Sequence, residues 1–194
     1  MSPNMRSMEI SLNAAFKTAD THQICAAIDA AIHTQNNISQ LARKAGLDRV
    51  TLYRAFRRIE GPTLHTVIGA LDALGFQFVV QFERPLPETP PNPYAPWKFR
   101  SHPELRSNSK VAAEYLTRAF ETSEINLIVE AFADTLRAQE NVTQLAGKTT
   151  MSRTSLYRAF TAPHVPMFST VVIFLDALGL RLAIKRRSAL KAAS

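Results

Sequence analysis

Leu52-Tyr53-Arg54-Ala55-Phe56 returns unchanged as Leu156-Tyr157-Arg158-Ala159-Phe160. The offset of 104 residues holds without a gap from Leu12 against Leu116 to Glu83 against Arg187, with 26 identities in 72 aligned pairs. The identities include Asn37/Asn141, Gln40-Leu41-Ala42/Gln144-Leu145-Ala146 and Leu71-Asp72-Ala73-Leu74-Gly75/Leu175-Asp176-Ala177-Leu178-Gly179. A repeat this long far exceeds the period of about 20–50 residues in a solenoid, so each copy is expected to carry its own core. Two domains of roughly 75 residues follow, each small enough to bury only about 60% of its unfolded surface and so to gain from packing with the other.

Around the repeated pentapeptide the chain reads as helices. Asn37 is a good N-cap with Gln40 three residues on, and Asn141 with Gln144 repeats the pattern. They open a helix over 38–45, closed by Gly46, after which Leu47 is expected in the core and Asp48 caps the next helix. Helix, short turn and helix within about twenty residues have the dimensions of a helix-turn-helix. Leu52, Ala55, Phe56 and Ile59 fall on one side of the second helix at 100° per residue, toward the core. Copy two has Thr150 where copy one has the turn glycine, which predicts a strained or differently shaped turn.

Upstream, Leu12, Ala15 and Phe16 make a short helical stripe behind a loose tail over 1–10. Ile24, Ala27, Ile28, Ala31 and Ile32 then mark a buried helix face, matched by Ile128, Ala131, Phe132, Thr135 and Leu136. Downstream, Pro62 and Pro166 precede a fifth helix with Leu64, Val67, Ile68, Leu71 and Leu74, stopped by Gly75 and Gly179. Alternating Phe76, Phe78, Val80 and Phe82, and likewise Leu180, Leu182 and Ile184, predict one strand per copy. A lone strand leaves an open edge, so the two should pair antiparallel as an intrachain pseudo-dimer.

The expected fold class is therefore mostly α: two tandem five-helix helix-turn-helix domains over 10–84 and 112–188, each ending in one β-strand. A linker over 85–111 joins them, holding seven of the eleven prolines. It could reach roughly 80 Å at about 3.1 Å per residue. Its Tyr94, Trp97 and Phe99 are read as packing against a domain, with a partner-docking peptide as the alternative.

Charge and chemistry narrow the function. Net charge is +7, with a pI near 9.9, which favours a polyanionic partner. Six basic residues against one acid lie between Arg43 and Arg58, whereas residues 12–84 as a whole carry eight basic and six acidic. The single cysteine, Cys25, excludes an intrachain disulfide and reads as core. There is no signal-peptide pattern and no apolar run of 18 residues, which predicts a cytoplasmic protein without a membrane partner. His22, His33, His65, His102 and His164 fall at no metal-ligand spacing, and no phosphate-binding glycine loop or nucleophile motif occurs. Neither an enzyme nor a cofactor is expected, and Asp72 and Asp176 are read as making local hydrogen bonds or salt bridges.

The run Thr18-Ala19-Asp20, Gln40-Leu41-Ala42, Gly46-Leu47, Leu52-Tyr53-Arg54-Ala55-Phe56, Gly61-Pro62-Thr63 and Ala73-Leu74-Gly75 resembles the prophage-type addiction-module antidote (antitoxin) proteins. These are small prokaryotic helix-turn-helix proteins of the lambda-repressor-like class. Nearly all of each copy is covered, as if two single-domain members were fused in tandem, and copy two departs at Thr150 and at Val165-Pro166-Met167. The resemblance implies DNA binding and a toxin partner.

Two functions stay in view. The first is a transcriptional regulator reading an imperfect palindrome in double-stranded DNA with two recognition helices in successive major grooves. The second is a protein-binding antitoxin or anti-activator that masks a toxin or regulatory protein, kept in view by exposed Val50 and by the linker aromatics Tyr94, Trp97 and Phe99. Further oligomers remain open in either case. For the first, Arg49, Val50 and Arg54 are assigned to base reading, and by the repeat Arg153, Thr154 and Arg158. Arginine suits the two major-groove acceptors of guanine and valine the thymine methyl. Thr51, Tyr53, Arg57, Ser155 and Tyr157 are assigned to phosphates, with Arg58 flanking them. The alternative for Arg54 and Arg158 is a structural salt bridge within each domain. The copies differ at Val50/Thr154, Arg57/Thr161 and Arg58/Ala162, hence an imperfect palindrome.

Overall fold

The computed structural model describes residues 5–84, 105, 108–139, 141–161 and 163–187. Linker residues 85–104, with Tyr94, Trp97 and Phe99, and Ala162 lie outside the described residues. Copy one forms α1 (Met5–Phe16), α2 (Thr21–His33), α3 (Ile38–Lys44), α4 (Arg49–Ala55), α5 (Leu64–Leu74) and β1 (Phe76–Phe82). Copy two repeats the order as α6 (Ser109–Thr122), α7 (Ile125–Ala138), α8 (Val142–Thr149), α9 (Arg153–Ala159), α10 (Phe168–Ala177) and β2 (Leu180–Arg186). The chain is mostly helical, and β1 pairs with β2 antiparallel as a two-stranded sheet.

Two compact units result, residues 1–78 with 183–194, and residues 79–182. The division runs through both strands, so the helices of each copy are completed by strand residues of the other. In the first unit, Ile184 N donates to Asn13 Oδ1 at 2.9 Å and Asn13 Nδ2 donates to Ile184 O at 3.0 Å. Arg187 N reaches Gly75 O at 2.9 Å, and the Arg187 guanidinium lies 3.4 Å from Asp72. In the second unit, Val80 N donates to Thr117 Oγ1 at 2.9 Å, and that hydroxyl reaches Val80 O at 3.3 Å. Arg84 pairs with Asp176 at 3.3 Å, so both repeated aspartates hold the end of a strand from the other copy. Side chains thus satisfy backbone groups that a two-stranded ribbon would otherwise leave open.

The first unit packs α1 on α2, α2 on α5, and α3 on α4 and α5. Its core holds Leu12, Phe16, Ile24, Ile28, Ile32, Leu52, Leu64, Val67, Leu71 and Phe76, with Phe16 edge-on to Phe78 at 5.7 Å. The second unit replaces Ile28 and Ala70 with Phe132 and Phe174, which join Phe120 and Phe160 in an aromatic cluster. Burial at Cys25 pushes its thiol up to about 11, which keeps it protonated and unreactive.

Several expectations are corrected. The N-terminal segment is no loose tail from residue 5 on: α1 begins at Met5, and Met8 is buried one turn before Leu12. Leu47 is only half-buried, and Ala45 fills the core there instead. Ile59 is 95% exposed, because α4 ends at Ala55 with Phe56 as its C-cap and the helical angle no longer applies beyond it.

Thr150 takes the same left-handed backbone as Gly46, φ 56° against 66°. The turn keeps its shape, and copy two carries the strain of a β-branched residue there. Thr150→Gly should therefore raise stability by about 1 kcal/mol, read as a higher urea midpoint at unchanged slope. An unchanged or lower midpoint would show that the threonine is not strained. At Gly179, φ 67°, a Cβ would meet the Arg84 carbonyl oxygen at 2.3 Å, so glycine is required for the close approach of the returning strand.

Candidate nucleic-acid interface

The candidate surface is built on α4 and α9. Asp48 Oδ1 accepts from Thr51 N at 2.8 Å and caps α4, and Ser152 Oγ accepts from Ser155 N at 3.0 Å and caps α9. Leu52 and Leu156 are fully buried, which fixes how each helix is rolled on its unit. The opposite side of α4 then exposes Arg49, Val50, Thr51 and Arg54, and α9 exposes Arg153, Thr154, Ser155 and Arg158. Val50 is 56% exposed, a costly place for an unpartnered apolar side chain.

These side chains are held to different degrees. Arg49 lies 5.6 Å over the Tyr53 ring and Arg153 lies 5.8 Å over Tyr157, a repeated cation–π pair. Thr51 is bound through its hydroxyl to Asp48 Oδ2, and Ser155 Oγ lies 2.8 Å from Ser152 Oγ. Both hydroxyls therefore serve the caps as well as facing outward. Arg54 and Arg158 are exposed, and among the described residues neither enters an ion pair. Arg58 is exposed beyond the end of α4.

Arg57 is placed differently. Its Nε and Nη2 both reach Asp29 Oδ2 at 3.3 Å, and Nη2 lies 3.1 Å from His33 Nε2. The arginine is nonetheless 59% exposed, so N–H groups remain to face a ligand. His33 Nδ1 is 2.7 Å from the Asp29 carbonyl oxygen and 3.5 Å from its carboxylate, and the shorter contact is the hydrogen bond. The His33 ring also meets Tyr53 edge-on at 5.2 Å. Asp29 and His33 were missed from the sequence. They stand four residues apart on α2, but their partners lie on and beyond α4, and spacing within α2 does not reveal them.

The Asp48 carboxylate is held below the usual carboxylate range, first by the Thr51 hydroxyl and then by the Thr51 amide. A lowered folded-state pKa means that the cap contributes fully above the unfolded value and is lost as pH falls through the folded one. Copy two caps with a serine, which does not titrate. On acidification from about pH 5 to about pH 3, hydrogen-exchange protection should fall at the Thr51 amide and persist at Ser155. Equal loss at both would show that Asp48 is not the acid-sensitive cap.

Among the described residues no group of three or more His, Cys, Asp or Glu side chains could hold a metal ion, and no helix is long and apolar enough to cross a membrane.

The family described as "Probable addiction module antidote protein" matches residues 4–82 and again 97–186, and the chain belongs to it as a tandem duplicate. An uncharacterized protein of Haemophilus influenzae is 46% identical over 48 residues, which cover 25% of this chain and 50% of that relative. The match spans about half the relative's length. No solved structure matches.

Proposed function

We propose that the protein is a sequence-specific double-stranded DNA-binding regulator of the antitoxin kind, in which α3–α4 and α8–α9 act as helix-turn-helix pairs. The observation that carries this reading is the exposure, in both copies, of an arginine in the last turn of the second helix, Arg54 and Arg158, that makes no ion pair among the described residues. A structural role for either would have been an ion pair within its unit. Arg49, Val50 and Arg54 read bases in one half-site, and Arg153, Thr154 and Arg158 in the other. Thr51, Tyr53, Arg57, Arg58, Ser155 and Tyr157 face phosphates and set the register.

With the strands paired, the two copies form a pseudo-dimer over residues 10–84 and 112–188 joined by the 85–111 linker, and the operator is an imperfect palindrome. Half-sites should be spaced by about 34 Å, one turn of DNA. Hydroxyl-radical footprinting should show two protected patches so spaced, and a single short patch would contradict the reading. As an antidote, the protein is also proposed to act in the cytoplasm and to bind a toxin or regulatory protein. Exposed Val50 and Ile59 favour this second reading as apolar side chains of copy one open to a partner.

A further inference from the structure

The two candidate half-sites are not built alike, although their helices are. In copy one, His33 touches two of the side chains assigned to DNA at once: its Nε2 lies 3.1 Å from Arg57 Nη2, and its ring packs 5.2 Å from Tyr53. Tyr53 in turn carries Arg49 at 5.6 Å. Behind Arg57 stands Asp29, whose side chain is 20% exposed and whose Oδ2 receives both Nε and Nη2. At the corresponding positions copy two has Ala133, Arg137 and Thr161, so the whole arrangement is absent there. Among the described residues copy two retains of this arrangement the Arg153–Tyr157 stack.

The hydrogen bonds fix the imidazole's state. The Asp29 carbonyl oxygen can only accept, so Nδ1 carries the proton that it receives at 2.7 Å. Arg57 can only donate, so Nε2 must be the bare nitrogen that accepts from it. A second proton would turn that acceptor into a donor and set two cations face to face. The groups facing the ring are Asp29 from α2, Tyr53 from α4 and Arg57 from the turn that follows, with Arg49 reaching it through Tyr53. Only the carboxylate favours the added charge, through Oδ1 at 3.5 Å from Nδ1, while Arg57 on Oδ2 loses its acceptor at Nε2 and meets a second cation there.

We propose that His33 and Asp29 are positioning residues for DNA recognition by copy one, holding Arg57, Tyr53 and Arg49 in place so that the first half-site is read more stringently than the second and loses that stringency on acidification. This rests on the DNA-reading function proposed above. An arginine braced from behind loses little freedom when its remaining N–H groups meet a phosphate, and it fixes the register from which Arg49 and Arg54 meet bases.

The test uses the intact chain and a duplex recovered from a random pool, with affinity for that duplex compared with a scrambled one. His33→Ala and Asp29→Asn should each lower the ratio of the two affinities about tenfold, as expected when a base-reading register is loosened, and the loss should map to the copy-one half of the duplex. Acidification from about pH 8 to about pH 5.5, where imidazoles gain charge, should lower the wild-type ratio several-fold. His33→Gln, whose amide oxygen can still accept from Arg57 but does not titrate, should keep most of the ratio at high pH and lose the pH dependence.

A purely electrostatic role for Asp29 predicts the opposite, tighter binding to both duplexes in Asp29→Asn, and would overturn the proposal. So would variants that melt at lower temperature yet keep the wild-type ratio, or a loss shared equally by both halves. If the wild-type chain prefers no duplex over another, the DNA-reading function itself falls and this inference with it. That failure shows in the wild type, whereas failure of the positioning role shows only in the variants.

Discussion

Phe132→Ala should destabilise the protein by about 3–5 kcal/mol. Phe132 is fully buried and sits at the centre of the second unit's aromatic cluster. Its ring stacks on Phe160 at 5.2 Å and meets Phe120 and Phe174 edge-on at 5.9 and 6.0 Å. Truncation removes all three pairs, each worth about 0.5–1.5 kcal/mol beyond burial, and leaves a cavity whose aromatic walls are poorly able to collapse. Small domains carry only about 5–15 kcal/mol in total, so the loss is a large fraction of what the unit has. Ile28→Val at the equivalent position of the first unit should cost only about 0.5–1.5 kcal/mol. Chemical denaturation of both variants checks this, and a Phe132→Ala loss below about 1 kcal/mol would show that the cluster repacks.

Arg54→Ala combined with Arg158→Ala should nearly abolish sequence preference while leaving the fold intact. Each arginine is exposed and makes no ion pair among the described residues, so neither truncation leaves a buried charge behind. Each bidentate guanine contact is worth about 1–3 kcal/mol of discrimination, and arginines reading separate half-sites should add. Arg57→Ala should behave otherwise. On the proposed reading it removes a charge near the phosphates, weakening all duplexes and lowering the salt slope by about one, and by also removing the residue that Asp29 braces it should cost the copy-one half its preference while the copy-two half keeps it. Competition titrations against scrambled DNA, with thermal melts alongside, separate these outcomes. If the double variant kept its DNA affinity and melted lower, the arginines would be structural.

Much of this architecture was legible from residue pattern alone. The duplication, the caps at Asn37, Asp48 and Asn141, and the stops at Gly75 and Gly179 are local signals, and each appears where its chemistry demands. The strand pairing was legible for a different reason, because an isolated strand in each copy has nowhere else to satisfy its edge.

Ile59 falls on the core side only while the helical angle holds, and α4 stops before it. Met8 stands at the i−4 and i−8 positions to Leu12 and Phe16, a spacing that was present but outweighed by its polar neighbours. The brace on Arg57 joins Asp29 and His33 to a residue more than twenty positions away, and contacts of that kind are fixed by how α2 and α4 pack, which no periodicity encodes. The reciprocal clasp of Asn13 on Ile184 and Thr117 on Val80 is hidden for the same reason.

The most direct test is selection of bound duplexes from a random double-stranded pool by the intact protein. The account predicts enrichment of a motif with two related but unequal halves centred about one helical turn, or about 10 base pairs, apart. It also predicts that exchanging Val50 and Thr154 alters opposite halves. Recovery of no enriched motif, from a protein that is folded and retains a protein partner instead, would contradict it.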